Sequence, residues 1–166
     1  MPVLVGGTVS PEPRIDPDVD LRVPADRGEL TAHPAAVLGA IAAGGVLGAL
    51  ARAGAQTAYP HPPGGFAWAT FGVNLTGCLL IGVLMAVISA RPTGPLVRPF
   101  LGVGVLGGFT TFSTYVVDVQ KAVAAGAAGT ALAYLAATLV GALVAVWVGD
   151  AATTRLLARR SGGQAR

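Results

Sequence analysis

The run Gly107-Gly108-Phe109-Thr110-Thr111-Phe112-Ser113-Thr114-Tyr115 lies within an otherwise apolar stretch of the chain. Two adjacent glycines weaken a helix there, and the hydroxyls of Thr110, Thr111, Ser113 and Thr114 follow directly. A bilayer has no water to satisfy backbone released from helical bonding. Such a segment is tolerated only where it is buried in protein or lines a wet cavity or ion site. Two readings stay open on the residues alone: a kinked helix packing its small residues against a neighbour, or a break that offers polar groups at membrane depth.

The surrounding composition puts this run in a membrane. The chain has 166 residues, 53% of them apolar and only 11% charged, with a mean hydropathy of +0.67. That leaves too few charges to clothe a soluble domain of this size. Upstream of the run, Ala35 to Tyr59 is apolar apart from Arg52, Gln56 and Thr57. At about 1.5 Å per residue it reaches far enough to cross a hydrocarbon core of about 30 Å. Pro60, Pro62, Pro63, Gly64 and Gly65 then form a turn, and Phe66 to Ala90 is a second span with Trp68 as an interfacial anchor. After a loop containing Arg91, Pro92, Pro95 and Arg98, the third span covers Phe100 to Val119 and holds the opening run. Ala122 to Gly149 is the fourth, with Trp147 near its close. The expected fold is an all-α membrane protein of four transmembrane helices with a break in the third, organised as one channel-sized domain over residues 34–150.

The flanks differ in character. Residues 1–33 hold five prolines and six acids, a solvated composition that predicts a disordered tail. Residues 151–166 form a short basic tail with Arg155, Arg159, Arg160 and Arg166. With four spans, both termini and the second loop share one side, which collects eight flanking arginines against Lys121 alone on the other. The positive-inside rule then predicts cytoplasmic termini. Nothing resembles a nucleic-acid patch, and the single cysteine, Cys78, excludes an intrachain disulfide.

Polar residues inside the spans carry the functional signal. Arg52 lies about two turns from the end of the first span, where it either snorkels to the interface or stands at the mouth of an anion path. Thr70 and Asn74 share a face of the second helix. Thr130, Tyr134 and Thr138 repeat at i, i+4 and i+8 on the fourth, drawing a polar stripe. No carboxylate lies near the centre of a span, and Asp118 is close to a helix end, so a proton-coupling group is missing. No paired carboxylates, nucleophile with a base, or phosphate loop appears, which argues against an enzyme. His33 and His61 flank spans as isolated loop residues and are expected to be bystanders. Passive movement of a small solute is the leading reading. A non-conducting packing subunit is a rival, and a four-span drug antiporter is another, although it needs a buried Glu in its first span.

Three motifs in order resemble the small fluoride channels of bacteria, the Fluc or CrcB family. They are Gly44-Gly45-Val46-Leu47-Gly48-Ala49-Leu50-Ala51-Arg52, Val73-Asn74-Leu75-Thr76-Gly77, and the run Gly107 to Tyr115. The resemblance implies a plasma-membrane fluoride exporter in which two subunits pair as an antiparallel dimer around two pores and a central structural sodium ion. It assigns sodium to the carbonyls of Gly107 and Thr110, and fluoride to Phe112, Tyr115, Asn74, Thr70, Tyr134 and Thr138, with Ser113 and Thr114 lining or bracing the path. Arg52 and Asp118 match vestibule positions. Tyr115 departs from the usual Phe. The one-sided charge is a second departure, because family homodimers insert in both orientations, and it points to a fixed topology with a companion chain of opposite bias.

Overall fold

The computed structural model describes residues 34–163, with side chains as far as Arg159. The Pro/Asp-rich segment 1–33, with Arg22, Arg27 and His33, lies outside the described residues, as do Arg166 and the side chain of Arg160. Helix α1 is Pro34–Ala58 and α2 is Trp68–Ala90. The third apolar stretch begins as a π-helix at Arg98–Leu106 and passes into a single α-helical turn, Gly107–Phe109. Helix α3, Ser113–Ala124, completes that stretch, and α4 runs from Ala128 to Gly163. The stretches Pro34–Ala58, Trp68–Ala90, Arg98–Ala124 and Ala128–Arg159 are each long and apolar enough to cross a membrane, so the chain is a multi-pass membrane protein whose regular structure, among the described residues, is all helical.

Glycine sets the spacing between these helices. A Cβ added at Gly44 or Gly48 of α1 would strike the carbonyls of Phe100 or Val105. One added at Gly104 or Gly108 would strike those of Ile41 or Gly45. The two backbones therefore touch along both sides of one seam. Helices α2 and α4 make a second seam: Gly82 abuts the Val146 carbonyl, Gly149 abuts that of Leu79, and Leu75 packs on Gly141. Lipid tails are as apolar as leucine, so burial gives little drive between membrane helices; close backbone approach supplies the missing attraction through dispersion. Trp68 and Trp147 remain exposed on the outer surface, where indoles settle at a headgroup boundary.

Two boundaries differ from expectation. The fourth helix starts at Ala128 rather than Ala122, because α3 continues to Ala124 and closes in a Schellman motif. The amide of Gly126 donates to the Val123 carbonyl at 2.9 Å and that of Ala127 to Ala122 at 2.9 Å, with Gly126 at φ 75°. At its other end α4 continues past Gly149 through Ala151, Ala152, Leu156 and Leu157, strong helix formers with no proline among them, so part of the basic tail is helical. Thirty-six residues at about 1.5 Å each make α4 much longer than a bilayer core of about 30 Å.

The α1 seam can be tested by contrast. Gly48→Ala should destabilise the protein by about 1–3 kcal/mol, as overpacking of a tight contact does. Gly39→Ala, at a position with open space around it, should leave the thermal midpoint in detergent unchanged or raise it. Equal midpoints for both variants would show that the seam is not close-packed.

Candidate functional site

Between Phe109 and Ser113 the chain leaves the helix: Thr110 is extended, with φ −76° and ψ 158°. Its backbone groups then need other partners, since an unpaired buried peptide is costly. Asn74 of α2 supplies them for Thr111. Its Oδ1 accepts from the Thr111 amide at 2.9 Å, and its Nδ2 donates to the Thr111 carbonyl at 2.9 Å. The Thr111 hydroxyl in turn accepts from the Thr114 amide at 3.2 Å and donates to Thr114 Oγ1 at 3.1 Å, capping the helix that restarts there. Ser113 Oγ lies 3.4 Å from the same hydroxyl. Ser113 and Thr114 thus brace the restart, and neither lines the neighbouring cavity.

These diversions take the helical donors away from Gly107 and Thr110, and the Phe109 carbonyl likewise receives no bond from the Ser113 amide. In an unbroken helix the Thr111 amide would serve Gly107 and the Thr114 amide would serve Thr110. Both amides are turned to side-chain oxygens instead. Gly108 is treated differently, because Arg52 Nε donates to its carbonyl at 3.2 Å. Arg52 therefore stands against the end of the helical turn in the third stretch, with its Nε committed there. Gly107 and Thr110 are left with hard, neutral oxygens deprived of their usual donors, which is a donor set suited to a hard cation. Among the described residues no cluster of three or more His, Cys, Asp or Glu side chains competes for a metal.

An open cavity of about 930 Å³ lies beside this segment. Gly107, Thr110, Thr111, Phe112 and Tyr115 line it from the third stretch, Asn74, Gly77 and Cys78 from α2, and Leu135, Thr138 and Leu139 from α4. The wall is chiefly apolar with a few polar atoms. Phe112 is 77% exposed at its rim. The rings of Phe112 and Tyr115 are 6.0 Å apart, and Tyr115 is followed by Tyr134 at 5.2 Å and then Phe66 at 5.1 Å, forming an aromatic row that leads out of the cavity. The Tyr115 hydroxyl donates to the Leu135 carbonyl at 3.3 Å. Thr138 Oγ1 is buried with no hydrogen-bond partner, and the buried Tyr134 hydroxyl lies against Thr70 without meeting an acceptor in bonding geometry.

Beyond the aromatic row lies a second polar cluster, away from the cavity. The Thr70 hydroxyl donates to Asp118 Oδ2 at 2.8 Å, and Gln56 Nε2 reaches Thr70 Oγ1 at 3.5 Å. His61 Nε2 stands 3.7 Å from Asp118 Oδ1. The structure thus corrects the expectation that His61 is an isolated loop residue. The partner is 57 positions away, so no local pattern announces it. Thr111 is the other residue passed over in assigning the site, although the spacing of Thr111 and Thr114 carries a capping signal.

The clamp on Thr111 has a measurable cost of removal. Asn74→Ala leaves the Thr111 amide and carbonyl unpaired in a buried setting, at about 1–3 kcal/mol for each group. The thermal midpoint in detergent should fall accordingly. Asn74→Asp, which sets an oxygen against the Thr111 carbonyl, should be no better, and an unchanged midpoint in both would remove the clamp from the account.

Comparison with known proteins follows the same stretch of chain. The family model for CrcB-like protein, Camphor Resistance (CrcB), matches residues 39–150. "Fluoride-specific ion channel FluC 1" of Streptomyces coelicolor is 56% identical over 124 residues, covering 74% of this chain and 80% of that one. "Fluoride-specific ion channel FluC 2" of Thermobifida fusca is 56% identical over 124 residues, covering 74% and 92%. A "Fluoride-specific ion channel FluC" of Pseudomonas putida is 40% identical over 116 residues, covering 69% and 94%. With the matched region spanning all four helices and the Gly107–Tyr115 segment, the chain belongs to the CrcB family.

Proposed function

We propose that this chain is a fluoride-selective ion channel that lets cytoplasmic fluoride leave the cell passively and so confers fluoride resistance. The observation that carries the reading is the buried hydroxyl of Thr138, left without a partner on a cavity wall that also presents Phe112, Tyr115 and Asn74. Natural structures rarely leave such an atom unsatisfied, and a passing ion supplies what the protein does not. The names of the FluC relatives support the identity of that ion.

Fluoride is small and strongly hydrated, so a pore must replace its water with several modest sites in series. The electropositive edges of Phe112 and Tyr115 suit an anion, and their centroid spacing keeps the two edges within one step of each other. Thr138 and Tyr134 extend the track with hydroxyls that donate, Thr70 flanks it, and Asn74, which lines the same cavity, has a second Nδ2 proton to offer. Ser113 and Thr114 hold Thr111 in place. Arg52 fixes the Gly108 carbonyl at the end of the helical turn, and Asp118 marks the far end of the path. No coupling device is needed: moving one charge across 100 mV releases about 2.3 kcal/mol.

The segment 110–112 acts as a break in the third span, and Gly107 and Thr110 are the residues that would hold a structural sodium. Such an ion would neutralise carbonyl dipoles that would otherwise face each other at a subunit contact. Exposed Phe112 and the open side of the cavity support pairing with a second subunit, in the antiparallel sense that the family resemblance implies. The arginine excess on one side supports cytoplasmic termini in a bacterial plasma membrane and a companion chain of opposite bias, with a homodimer as the alternative.

Fluoride efflux from liposomes carrying the purified chain, read by a fluoride electrode with potassium ionophore present, tests the function. Fast fluoride release without chloride release is the expected result, and silence both from the chain alone and with a companion chain would favour a packing subunit. Phe112→Ile should leave the protein folded and slow the flux roughly 2- to 10-fold, the equivalent of one ring contact worth about 0.5–1.5 kcal/mol. Reporters fused to the C-terminus should report the cytoplasmic side alone; substantial signal from both sides would refute the fixed topology.

A further inference from the structure

The pairing of His61 with Asp118 is not used by the fluoride path described above. Asp118 is a carboxylate 5% exposed, six residues before the end of α3, at the exit of the aromatic row. Both of its oxygens are addressed: Thr70 donates to Oδ2 at 2.8 Å, and His61 Nε2 stands 3.7 Å from Oδ1. His61 comes from the linker between α1 and α2, where Pro60, Pro62 and Pro63 stiffen the chain and the Gly65 amide closes a turn on the Pro62 carbonyl at 2.8 Å. Its side chain keeps 22% of its surface exposed to the aqueous side, whereas Asp118 is buried.

A buried negative charge is an obstacle at the end of an anion path. The groups facing the pair are few. Helix α1 brings Gln56 and α2 brings Thr70, both neutral; α4 brings Tyr134, whose ring lies 5.2 Å from that of Tyr115 on α3. Lys121, three residues after Asp118 on α3, is exposed, and Arg52 has its Nε on the Gly108 carbonyl. His61 is thus the basic side chain seen within ion-pair distance of the carboxylate.

We propose that His61 sets the charge at this end of the path, its protonated ring neutralising Asp118 so that fluoride passes more readily at acid pH. The inference rests on the channel reading above. Histidine is the side chain whose charge changes between about pH 5 and 8. A protonated ring beside the carboxylate makes the pair net neutral. A neutral ring leaves the carboxylate's charge to repel the permeating anion. The flux therefore rises as pH falls. The direction matches need, because acid outside the cell drives more neutral hydrogen fluoride inward.

Fluoride currents recorded in planar bilayers between pH 5.5 and 8 test the proposal, since neutral hydrogen fluoride carries no current. The unsubstituted protein should conduct about tenfold more at the acid end, the low end of the range over which a fixed charge in a cleft changes local ion concentration. His61→Gln should hold the current at its alkaline level throughout, and His61→Lys near its acid level. A flat profile in the unsubstituted protein, or an unchanged slope in His61→Gln, would overturn the proposal; the first of these needs no variant to fold. Absence of fluoride current at every pH, both from the chain alone and with a companion chain, would instead overturn the channel reading, and this inference with it.

Discussion

The two-point hydrogen bond between the Asn74 carboxamide and the Thr111 peptide is the constraint on which the rest of the site depends. A chain cannot leave the helix inside a bilayer unless its freed amide and carbonyl find partners, and a carboxamide is the side chain that matches a peptide with one donor and one acceptor. By taking the Thr111 amide, Asn74 also deprives Gly107 of its donor. The Thr111 hydroxyl does the same to Thr110 by capping Thr114. Two polar side chains, Asn74 and Thr111, therefore permit the irregular segment and take the amide donors that a helix would give to Gly107 and Thr110.

The clamp works only if α2 comes close. Gly77 makes that possible, since a Cβ there would collide with the Thr110 methyl, and Gly82 and Gly149 draw α2 onto α4 in the same way. The π-helical segment Arg98–Leu106 lies on the other side, seated on α1 through Gly44 and Gly48. π-turns accommodate an extra residue per turn and recur at functional sites. Small residues that look like mere packing in the sequence are thus what hold Thr110, Phe112 and Thr138 around one cavity.

The sequence made the spans legible because hydropathy is a property of each segment by itself. The ends of α1 and α2 fell within two residues of expectation. The turn before α4 was illegible for a physical reason: residues 119–129 are nearly all small or apolar, and only the left-handed φ of Gly126, one of two nearby glycines, stops α3. The helical extension beyond Gly149 was missed because arginines marked it as tail while its alanines and leucines kept it helical. Within the site, Asn74 was legible as a costly polar residue, but its partner was not, since that depends on two helices meeting 37 positions apart. The same holds for His61 and Asp118, and for Arg52, whose contact with Gly108 spans 56 positions.

The placement of Arg52 bears on how an anion could pass at all. A free guanidinium in a low-dielectric cavity would bind fluoride strongly, and strong single-site binding opposes conduction. Here Nε is turned onto a backbone carbonyl, and the side chain does not line the cavity. What the wall offers instead is neutral: the rings of Phe112 and Tyr115, and Thr138. Each is worth on the order of 1 kcal/mol, so no one site holds the ion for long. Such a row favours a compact anion that can approach ring edges and hydroxyls closely, since the electrostatic gain at each step falls with distance. On this view the arginine contributes most by being kept out of the path, its Nε held on the Gly108 carbonyl at the end of the helical turn.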